Sequence, residues 1–508
     1  MLMHQLLTNA ADRTPDKLAF RWVDRDKTLT YAQAVAAMER MAGALHDSGV
    51  RKGDRVGVFA HNGMDYVLAM LGAWRIGAIS ALVNVKFADE LEYYWADHEP
   101  KVAIYTHDMQ DVVLRAQRAV PAVQTLICMD GPQTGALSLP DLMNAGFKAP
   151  DDPRDESAIA HLSYTSGTTG RPKGACLMHE PTVRATRSIA ERLRIRAHDV
   201  SFGPTALSSS YQLVGNLLPP LSQGASIHIM GKWTQPTGWD AIEKAGATVL
   251  VGNPTLLDEV LRESETRGRS PGRLRMALTG GGPLPPTLKA AWRDKLNLPI
   301  VESYGQSELG GFVALGYPEL VPPGEDLVRI GPPLPDKEVR IFGPGDTKTA
   351  PGEIGDIALT GGFMWGYWGK PEKTAEATRG GWLRTGDLGI IDKDGFITLR
   401  SRLSELLTVD GVAWYPRDIE EALCEQKGVR QAALIGVPDD QLGQRPTAFV
   451  TLVEGASVDG GDLKTAIATA VPYDLKSLAI RIVEDLPMTP TGKISKGDLQ
   501  ARIAAGVA

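Results

Sequence analysis

The sequence predicts an α/β protein, with a large N-terminal domain of two α/β layered subdomains and a small β subdomain, followed by a small α+β C-terminal domain. Helix and strand signals alternate over the first 130 residues, a Gly/Pro-rich region covers residues 320–355, and the pattern changes again beyond Arg402. Such alternation favours helices layered on largely parallel sheets. A chain of 508 residues is also too long for one core and requires several packed units.

The N-terminal elements follow one another in a regular order. Thr30 and Gln33 fit a capping box, and the apolar residues that follow recur at helical spacing up to Leu45. A second apolar helix is predicted over residues 64–74. Apolar runs of strand length lie around and beyond these helices, at residues 56–60, 79–85, 102–106, 125–129, 227–230 and 249–251.

Composition shifts mark the boundaries between units. The polar stretch APDDPRDES at residues 149–157 predicts a linker between the two α/β subdomains, and the Gly/Pro-rich region predicts the short strands of the β subdomain. Beyond Arg402 a small α+β domain is predicted, with helices at 417–425 and 462–471 and strands at 431–437, 447–453 and 478–483.

Charge and cysteine content narrow the function classes. The net charge of −7 argues against a nucleic-acid partner, which requires a basic face. Cys128, Cys176 and Cys424 lie far apart without metal-ligand spacing, so reduced thiols in a cytoplasmic protein are expected. Neither a signal peptide nor a membrane span is predicted.

The strongest motif is YTSGTTGRPKG at residues 164–174. Three glycines alternate with four hydroxyl residues, so backbone N–H groups and hydroxyls can converge on anionic oxygens, and Lys173 adds a cation. The loop is not a Walker A motif, because Gly174 follows the lysine where Ser or Thr is needed. The string is typical of a phosphate-binding loop.

The same string resembles the signature loop of the adenylate-forming superfamily, which includes acyl-CoA synthetases, peptide-synthetase adenylation domains and firefly-type luciferases. Further motifs follow in the order that the superfamily has them, and the resemblance spans nearly the whole chain. These motifs are TGGGPL (279–284), ESYGQSE (302–308), GEIGDIALTGGFMWGYWGKPEKTAEA (352–377), WLRTGDLG (382–389) and LPMTPTGKISK (486–496). The chain is thereby identified as a member of the AMP-forming acyl-CoA synthetase branch.

The resemblance implies a set of site residues. The residues that it assigns to catalysis are Lys493, Glu308, Ser307 and Lys173, and Glu308 is also the expected Mg²⁺ ligand. The residues that it assigns to the nucleotide are Thr165, Ser166, Gly167, Thr168, Thr169, Gly170, Gly281, Gly282, Pro283, Glu302, Ser303, Tyr304, Gly305, Asp387 and Arg402. Asp387 is expected to accept the ribose hydroxyls, Tyr304 to pack beside adenine, and Lys493 to bridge the reacting carboxylate and α-phosphate.

The resemblance also implies two reaction steps and two arrangements of a mobile C-terminal domain. ATP and a carboxylic acid would give acyl-AMP, and coenzyme A would then accept the acyl group. The expected division is an N-terminal domain over 1–401, a hinge over 402–405 and a C-terminal domain over 406–508. Two positions depart from the usual pattern: Ser404 stands where Asp or Lys is usual in the hinge, and Ala413 stands where Asn is common on the CoA side.

The acyl pocket departs furthest from the superfamily pattern. The segment ALSSSYQLVG (206–215) places Ser209 or Ser210 where many relatives have a histidine, which would widen the pocket, and Tyr211 would line or gate it. Gly281 and Gly305 are expected on the same wall. Medium- or long-chain fatty, alicyclic and aryl acids all stay open as substrates.

Other functions remain as alternatives. Transfer of the acyl-adenylate to an acceptor other than CoA is open, luciferase-like oxygenation is barely excluded, and a non-catalytic nucleotide-binding relative is disfavoured by intact Lys173, Glu308, Asp387 and Lys493. An amino-acid adenylation domain is disfavoured because no FDxS-like segment is present. A homodimer is left open.

Overall fold

Helices and strands alternate along the chain as the composition predicts. The computed structural model describes residues 1–165, 171–322, 324, 327–439, 442–489 and 494–506. It is a mixed α/β structure with a large N-terminal domain and a small C-terminal domain. In the part of the chain that is described, no helix combines the length and the apolar composition that a membrane span needs.

The α-helices are distributed over both domains. Their bounds are α1 Gln5–Arg13, α2 Tyr31–Asp47, α3 Met64–Arg75, α4 Leu91–His98, α5 Gln110–Ala119, α6 Leu139–Asn144, α7 His179–Arg192, α8 Ser210–Gln212, α9 Leu218–Ser222, α10 Gln235–Ala245, α11 Pro254–Arg267, α12 Pro286–Ala291, α13 Pro371–Ala377, α14 Pro416–Cys424, α15 Gly460–Ile467 and α16 Lys496–Ala504.

The strands form three larger sheets in the N-terminal domain and smaller ones in the C-terminal domain. Their bounds are β1 Leu18–Trp22, β2 Lys27–Thr30, β3 Arg55–Phe59, β4 Ile79–Leu82, β5 Val102–Tyr105, β6 Thr125–Cys128, β7 Leu137–Ser138, β8 Ile159–Tyr164, β9 Gly174–Met178, β10 Val200–Phe202, β11 Ser226–Ile229, β12 Val249–Val251, β13 Met276–Gly280, β14 Ile300–Tyr304, β15 Ala314–Leu315, β16 Glu338–Phe342, β17 Gly355–Thr360, β18 Thr378–Arg379, β19 Trp382–Ile391, β20 Ile397–Arg402, β21 Leu407–Val409, β22 Val412–Trp414, β23 Val429–Asp439, β24 Gly443–Leu452 and β25 Ala479–Ile482.

Two sheets make up most of the N-terminal domain, and both are mainly parallel. One has the order β7-β6-β5-β3-β4-β8-β9 and the other the order β15-β14-β13-β12-β10-β11-β1-β2. The prediction that residues 149–157 separate two units is wrong, because β8 follows that stretch yet pairs with β4, which precedes it. Likewise, β1, which precedes residues 149–157, pairs with β11 of the second sheet, which follows them. The chain crosses between the sheets, so a local composition shift does not mark a boundary.

The helices between the two sheets explain why these sequences form a buried layer. Thr30 accepts a hydrogen bond from the Gln33 backbone while the Gln33 side chain accepts one from the Thr30 backbone, so the predicted capping box opens α2. The helix α3 is buried on nearly every face, which fits its continuous apolar sequence. One hydrophobic core joins α2 and α3 to strands of both sheets. The two sheets therefore hold a fixed position relative to each other.

The later elements form two smaller units. A sheet of β16, β17, β19, β18 and β20 is antiparallel; a small β unit is present as predicted, but only β16 lies wholly inside the Gly/Pro-rich region and the other strands follow it. In the C-terminal domain β23 and β24 pair antiparallel, β24 and β25 pair parallel, and β21 and β22 form a separate hairpin. The predicted helices and strands beyond Arg402 are confirmed, with ends displaced by one to four residues.

Candidate active site

The ends of three strands meet at one large cleft. The strands β8, β13 and β14 end at Tyr164, Gly280 and Tyr304, and each leads into a segment that lines the cleft. Its volume is about 1430 Å³. The strands β13 and β14 are parallel neighbours whose carboxyl ends share one sheet edge, and β8 of the other sheet ends at the same cleft, so motifs far apart in sequence converge there. This convergence is what an enzyme with several substrates needs.

Two hydrogen bonds join the residues at the two ends of the predicted phosphate loop. The Thr165 backbone N–H donates to the Lys173 carbonyl at 3.0 Å, and the Lys173 N–H donates to the Thr165 hydroxyl at 3.1 Å. Both residues line the cleft. Five predicted residues, Ser166, Gly167, Thr168, Thr169 and Gly170, lie outside the described residues.

The carboxylate of Asp387 is the centre of a hydrogen-bonded network at one end of the cleft. The Tyr304 hydroxyl and the Gln306 side-chain amide donate to its Oδ2 at 2.8 and 2.7 Å, and Arg402 Nε lies 2.8 Å from its Oδ1. The Gln306 amide also donates to the Thr385 carbonyl at 2.8 Å. The network joins the ESYGQSE and WLRTGDLG motifs to Arg402 at the predicted hinge, and it fixes the direction of the carboxylate.

Burial of this network changes its electrostatics. Burial alone would lower the pKa of Arg402, but the negative charge of Asp387 raises it, so the guanidinium stays charged. Burial raises the pKa of Tyr304 well above its ordinary value, and the adjacent Asp387 adds to the shift. Tyr304 and Asp387 are both about 95% buried and lie behind the wall of the cleft, whereas Gln306 and Arg402 line it.

Glu308 faces the cleft beside the phosphate-loop lysine. Its Oε1 accepts a hydrogen bond of 2.8 Å from the Tyr367 hydroxyl, and the Lys173 ammonium lies 4.6 Å from the centre of the same tyrosine ring. Ser307 donates from its hydroxyl to the Tyr164 carbonyl at 3.1 Å. Lys173, Ser307 and Glu308 therefore surround one region of the cleft, where anionic oxygens can be bound.

The GGG turn of residues 280–282 forms another part of the wall. Gly281 has φ +79°, a left-handed conformation that favours glycine, and it lines the cleft with Gly282. A Cβ on Gly280 would lie 2.2 Å from the Ser303 Oγ, so β13 and β14 approach closely there. Ser303 and Gly305 also line the cleft, whereas Pro283 does not.

The predicted acyl-pocket residues lie together at the other end of the cleft. Tyr211 donates from its hydroxyl to the Leu278 carbonyl at 2.6 Å, and its ring centre lies 6.1 Å from that of Phe312. Burial raises the pKa of this hydroxyl well above its ordinary value. Ser209 accepts a hydrogen bond from the Tyr211 backbone and so caps α8. Ser209, Ser210 and Tyr211 all line the cleft with Gly281 and Gly305.

Glu302 is placed differently from its neighbours in the ESYGQSE motif. Its side chain is 5% exposed and does not line the cleft; instead Lys289 Nζ lies 3.7 Å away on one side and Arg417 Nη2 of the C-terminal domain lies 4.0 Å away on the other. Burial raises the pKa of this carboxyl, and the two cations oppose the shift. Glu302 is thus positioned for contact between domains.

Two hinge-side predictions have different outcomes. Ser404 lines the cleft next to Arg402 and Leu403, at the start of the segment that leads to the C-terminal domain. Lys493 lies outside the described residues. The hairpin β21–β22 carries Ala413 and is turned toward solvent, with Val412 54% exposed.

Sequence reasoning missed two residues of the site. Gln306 fixes Asp387, and Tyr367 fixes Glu308. Both lie inside recognised motifs, ESYGQSE and the long GEIGD segment, but a motif match does not show which side chain meets which carboxylate. A polar residue directly between Gly305 and Ser307 was the available signal for Gln306.

Comparison with known proteins agrees with this arrangement. The family described as AMP-binding enzyme matches residues 7–368, and the AMP-binding enzyme C-terminal domain matches residues 418–493. The chain is similar to a feruloyl-CoA synthase of Amycolatopsis sp, with 30% identity over 93% of this chain and 94% of that protein. It is also similar to the 4-hydroxybenzoate–CoA/benzoate–CoA ligase of Rhodopseudomonas palustris, with 28% identity over 98% of this chain and 93% of that protein.

Solved structures share the fold along the full chain. An anthranilate CoA ligase in complex with anthranoyl-AMP superposes with a TM-score of 0.91 at 24% identity, covering 100% of this chain and 98% of that one. MatB of Rhodopseudomonas palustris, 27% identical over 100% of both chains, superposes with a TM-score of 0.88 in its ATP-bound form and 0.80 in its apo form. The chain therefore belongs to the AMP-binding enzyme family, the adenylate-forming superfamily, in its acyl-CoA synthetase branch.

Proposed function

We propose that the protein is an ATP-dependent carboxylate–CoA ligase whose preferred acids are aromatic. The observation that carries the proposal is that one cleft joins a polar end, where Glu308 and Arg402 line the wall in front of Asp387, to an end lined by Tyr211 and Phe312. A nucleotide fits the first end and a flat, apolar acid fits the second.

In the first step a carboxylate oxygen attacks the α-phosphorus of ATP, and the bond to pyrophosphate breaks. Both reactants are anions, so catalysis consists mainly of positioning and charge neutralisation. Lys173 faces the phosphate region, and Lys493 would reach the reacting oxygens from the C-terminal domain. A carboxylate has room for about four hydrogen bonds, and Asp387 already has three donors, so one ribose hydroxyl can be added and a second would displace one of these donors.

The residues present fit a Mg²⁺ ion held mostly by phosphate. Among the described residues, no group of three or more His, Cys, Asp or Glu side chains is placed so that it could hold a metal ion. Mg²⁺ characteristically takes one or two carboxylates plus phosphate oxygens and water. Glu308 supplies one such carboxylate in the cleft, and its Oε1 is oriented by Tyr367. When bound, the ion would offset the charge of the phosphates.

The shape of the acyl end favours an aromatic acid over a long aliphatic chain. Tyr211 is fixed across this end by its hydrogen bond to the Leu278 carbonyl, so it cannot swing aside without losing that bond. Behind it the packing is closed, since a Cβ on Gly215 would lie 3.2 Å from Leu278 and 3.3 Å from Val251. A flat ring can lie against Tyr211 and Phe312, whereas a long chain would need a tunnel through this wall.

In the second step the CoA thiol sulfur attacks the acyl carbon and AMP leaves with its oxygen. The C-terminal domain would turn about residues 402–405, withdraw Lys493 and bring the β21–β22 hairpin to the cleft. Backbone rotation at Ser404 needs no charge, so the serine should permit this turn. Ala413 offers no side-chain hydrogen bond to pantetheine, and backbone groups of the hairpin would have to supply it.

A panel of acids tests the substrate class. Benzoate, 4-hydroxybenzoate, cinnamate, cyclohexanecarboxylate, octanoate and palmitate are each incubated with Mg-ATP and CoA, and thioester is measured by mass spectrometry. Higher kcat/KM with the aromatic acids is expected. Equal or better activity with palmitate would contradict the aromatic assignment while leaving the ligase assignment intact. Acyl-AMP without thioester would point to another acceptor.

Two further features remain predictions. A cytoplasmic location and a homodimer are both compatible with the chain. Cell fractionation checks the first, and sedimentation equilibrium of the purified protein checks the second.

A further inference from the structure

One buried cluster of charges joins the two domains outside the cleft. The helix α14 of the C-terminal domain begins beside β14 of the N-terminal domain, and Arg417 Nη2 lies 4.0 Å from Glu302 Oε1. Lys289 Nζ lies 3.7 Å from the other oxygen of the same carboxylate. The side chains of Arg417 and Glu302 are only 11% and 5% exposed, so their attraction is weakly screened.

Each half of the cluster has a counter-charge from its own domain. Lys289 is held on the N-terminal side, where it also donates to the Leu327 and Arg329 carbonyls at 3.1 and 3.3 Å. On the C-terminal side Arg417 Nε is hydrogen-bonded to Glu421 within α14. If the domains part, one neutral pair stays with each, and no buried charge is left uncompensated. Since an unpaired buried charge is what makes breaking such clusters costly, this interface can form and separate.

A second pair lies on the same turn of α14. Arg400 at the end of β20 pairs with Asp418 Oδ1 at 3.0 Å, and Asp418 Oδ2 accepts a hydrogen bond of 2.7 Å from Tyr473. The first turn of α14 therefore contacts the N-terminal domain through two adjacent charged residues.

The observed arrangement corresponds to one of the two expected orientations. The β21–β22 hairpin, which would serve the CoA step, packs one face into the C-terminal core, and its tip is exposed and does not line the cleft. At equal identity the chain also superposes better on the ATP-bound form of MatB than on its apo form, with TM-scores of 0.88 and 0.80. Both observations associate the Arg417–Glu302 contact with the nucleotide-bound arrangement.

We propose that Arg417 is a positioning residue for acyl-AMP formation: its contact with Glu302 holds the C-terminal domain in the adenylating orientation and is broken when that domain turns for transfer to CoA. The inference rests on the proposed ligase function. Because Ser303 and Tyr304 follow Glu302 directly along β14, the contact also joins the domain orientation to the strand that enters the cleft.

The test separates the two half-reactions in Arg417→Met. Pyrophosphate release with ATP and acid, without CoA, measures the first; thioester formation from synthetic acyl-AMP and CoA, without ATP, measures the second. Arg417→Met is expected to slow the first about tenfold and to leave the second unchanged or faster, and Arg417→Lys is expected to recover part of the loss. Arg502→Met is the matched control, because Arg502 pairs with Asp485 inside the C-terminal domain. Equal slowing of both half-reactions, or of neither, would overturn the proposal.

An orientation measurement keeps the test independent of activity. Dyes on Asp111→Cys and Glu454→Cys, both exposed positions in different domains, report energy transfer in a Cys424→Ala background. With ATP bound, Arg417→Met should shift the transfer efficiency away from the wild-type value, and Arg502→Met should not. Unchanged transfer in Arg417→Met would contradict the assignment even if no acid proved to be a substrate, whereas a shift without any pyrophosphate release would reject only the proposed function.

Discussion

The two ends of the cleft are built in different ways. At the nucleotide end, charged and polar side chains hold one another in place. Asp387 accepts hydrogen bonds from Tyr304 and Gln306 and forms an ion pair with Arg402. At the acyl end, Tyr211 is fixed by a backbone carbonyl, and its neighbours are small or aromatic. Fixed charges suit ATP, a substrate that does not vary. A wall that is hydrogen-bonded to the backbone can keep its shape when its side chains are substituted. Substrate variation within one fold is therefore expected at the second end.

The largest expected effect is at the nucleotide end. Asp387→Asn removes the charge that pairs with Arg402 and that would accept the ribose, and each hydrogen bond to a charged group is worth about 1.5–3 kcal/mol. We expect kcat/KM for ATP to fall roughly 1000-fold, measured by pyrophosphate release, with the ranking of acids unchanged. Asp485→Asn, in an exposed pair, is the control. A changed acid ranking in Asp387→Asn would show that the two ends are not independent.

The next effect concerns acid stability beneath the nucleotide end. His161 of β8 is buried, shares a hydrogen bond of 2.8 Å with Ser80, and has its pKa lowered by burial from 6.5 to about 4. Between these pH values His161 is protonated in the unfolded chain and neutral in the folded chain. Its contribution to the free energy of unfolding is therefore fully present above about pH 6.5 and is lost as the pH falls toward 4. We expect the loss to be on the order of 2–3 kcal/mol.

Chemical denaturation of wild type and His161→Gln at several pH values measures this contribution. The difference between the two free energies of unfolding should change between pH 6.5 and 4 and stay constant above that range. A constant difference throughout would mean that the pKa of His161 is the same in the folded and the unfolded chain, which contradicts the prediction.

A smaller effect is expected at the acyl end. Tyr211→Ala opens this end of the cleft, so the ratio of kcat/KM for a bulkier acid to kcat/KM for benzoate should rise about tenfold. One or two methylene-sized changes in a pocket give discrimination of this size. The KM for ATP should stay within twofold. Competition between benzoate and a biphenyl acid measures the shift. An unchanged ratio would remove Tyr211 from the acyl wall.

The smallest effect isolates one hydrogen bond at that end. Tyr211→Phe keeps the ring but loses the bond to the Leu278 carbonyl, which should cost about 1 kcal/mol of unfolding free energy. Thermal and urea unfolding measure it. We expect the acid preference to change less than in Tyr211→Ala. A larger preference change in the phenylalanine variant would show that the hydroxyl contacts the substrate.

The sequence predicted the nucleotide end far better than the connections between units. Motifs identify Lys173, Ser307, Glu308 and Arg402 as cleft residues, and each lies beside the end of a strand, although the strands belong to three different sheets. The exchange of strands across residues 149–157 was not predictable, because pairing of β8 with β4 is a long-range contact without a local signal. The contact of Glu302 with Arg417 was also not predictable. A motif shows that a carboxylate is present, but not that an arginine more than a hundred residues later lies beside it.

The most direct measurement of the central claim follows AMP, pyrophosphate and thioester together, for wild type and Lys493→Ala, with Mg-ATP, benzoate and CoA. We expect equal amounts of the three products in wild type, and loss of acyl-AMP formation in Lys493→Ala with transfer from synthetic benzoyl-AMP retained. Absence of pyrophosphate release with benzoate and with every other acid of the panel, in a protein that still binds ATP, would contradict it.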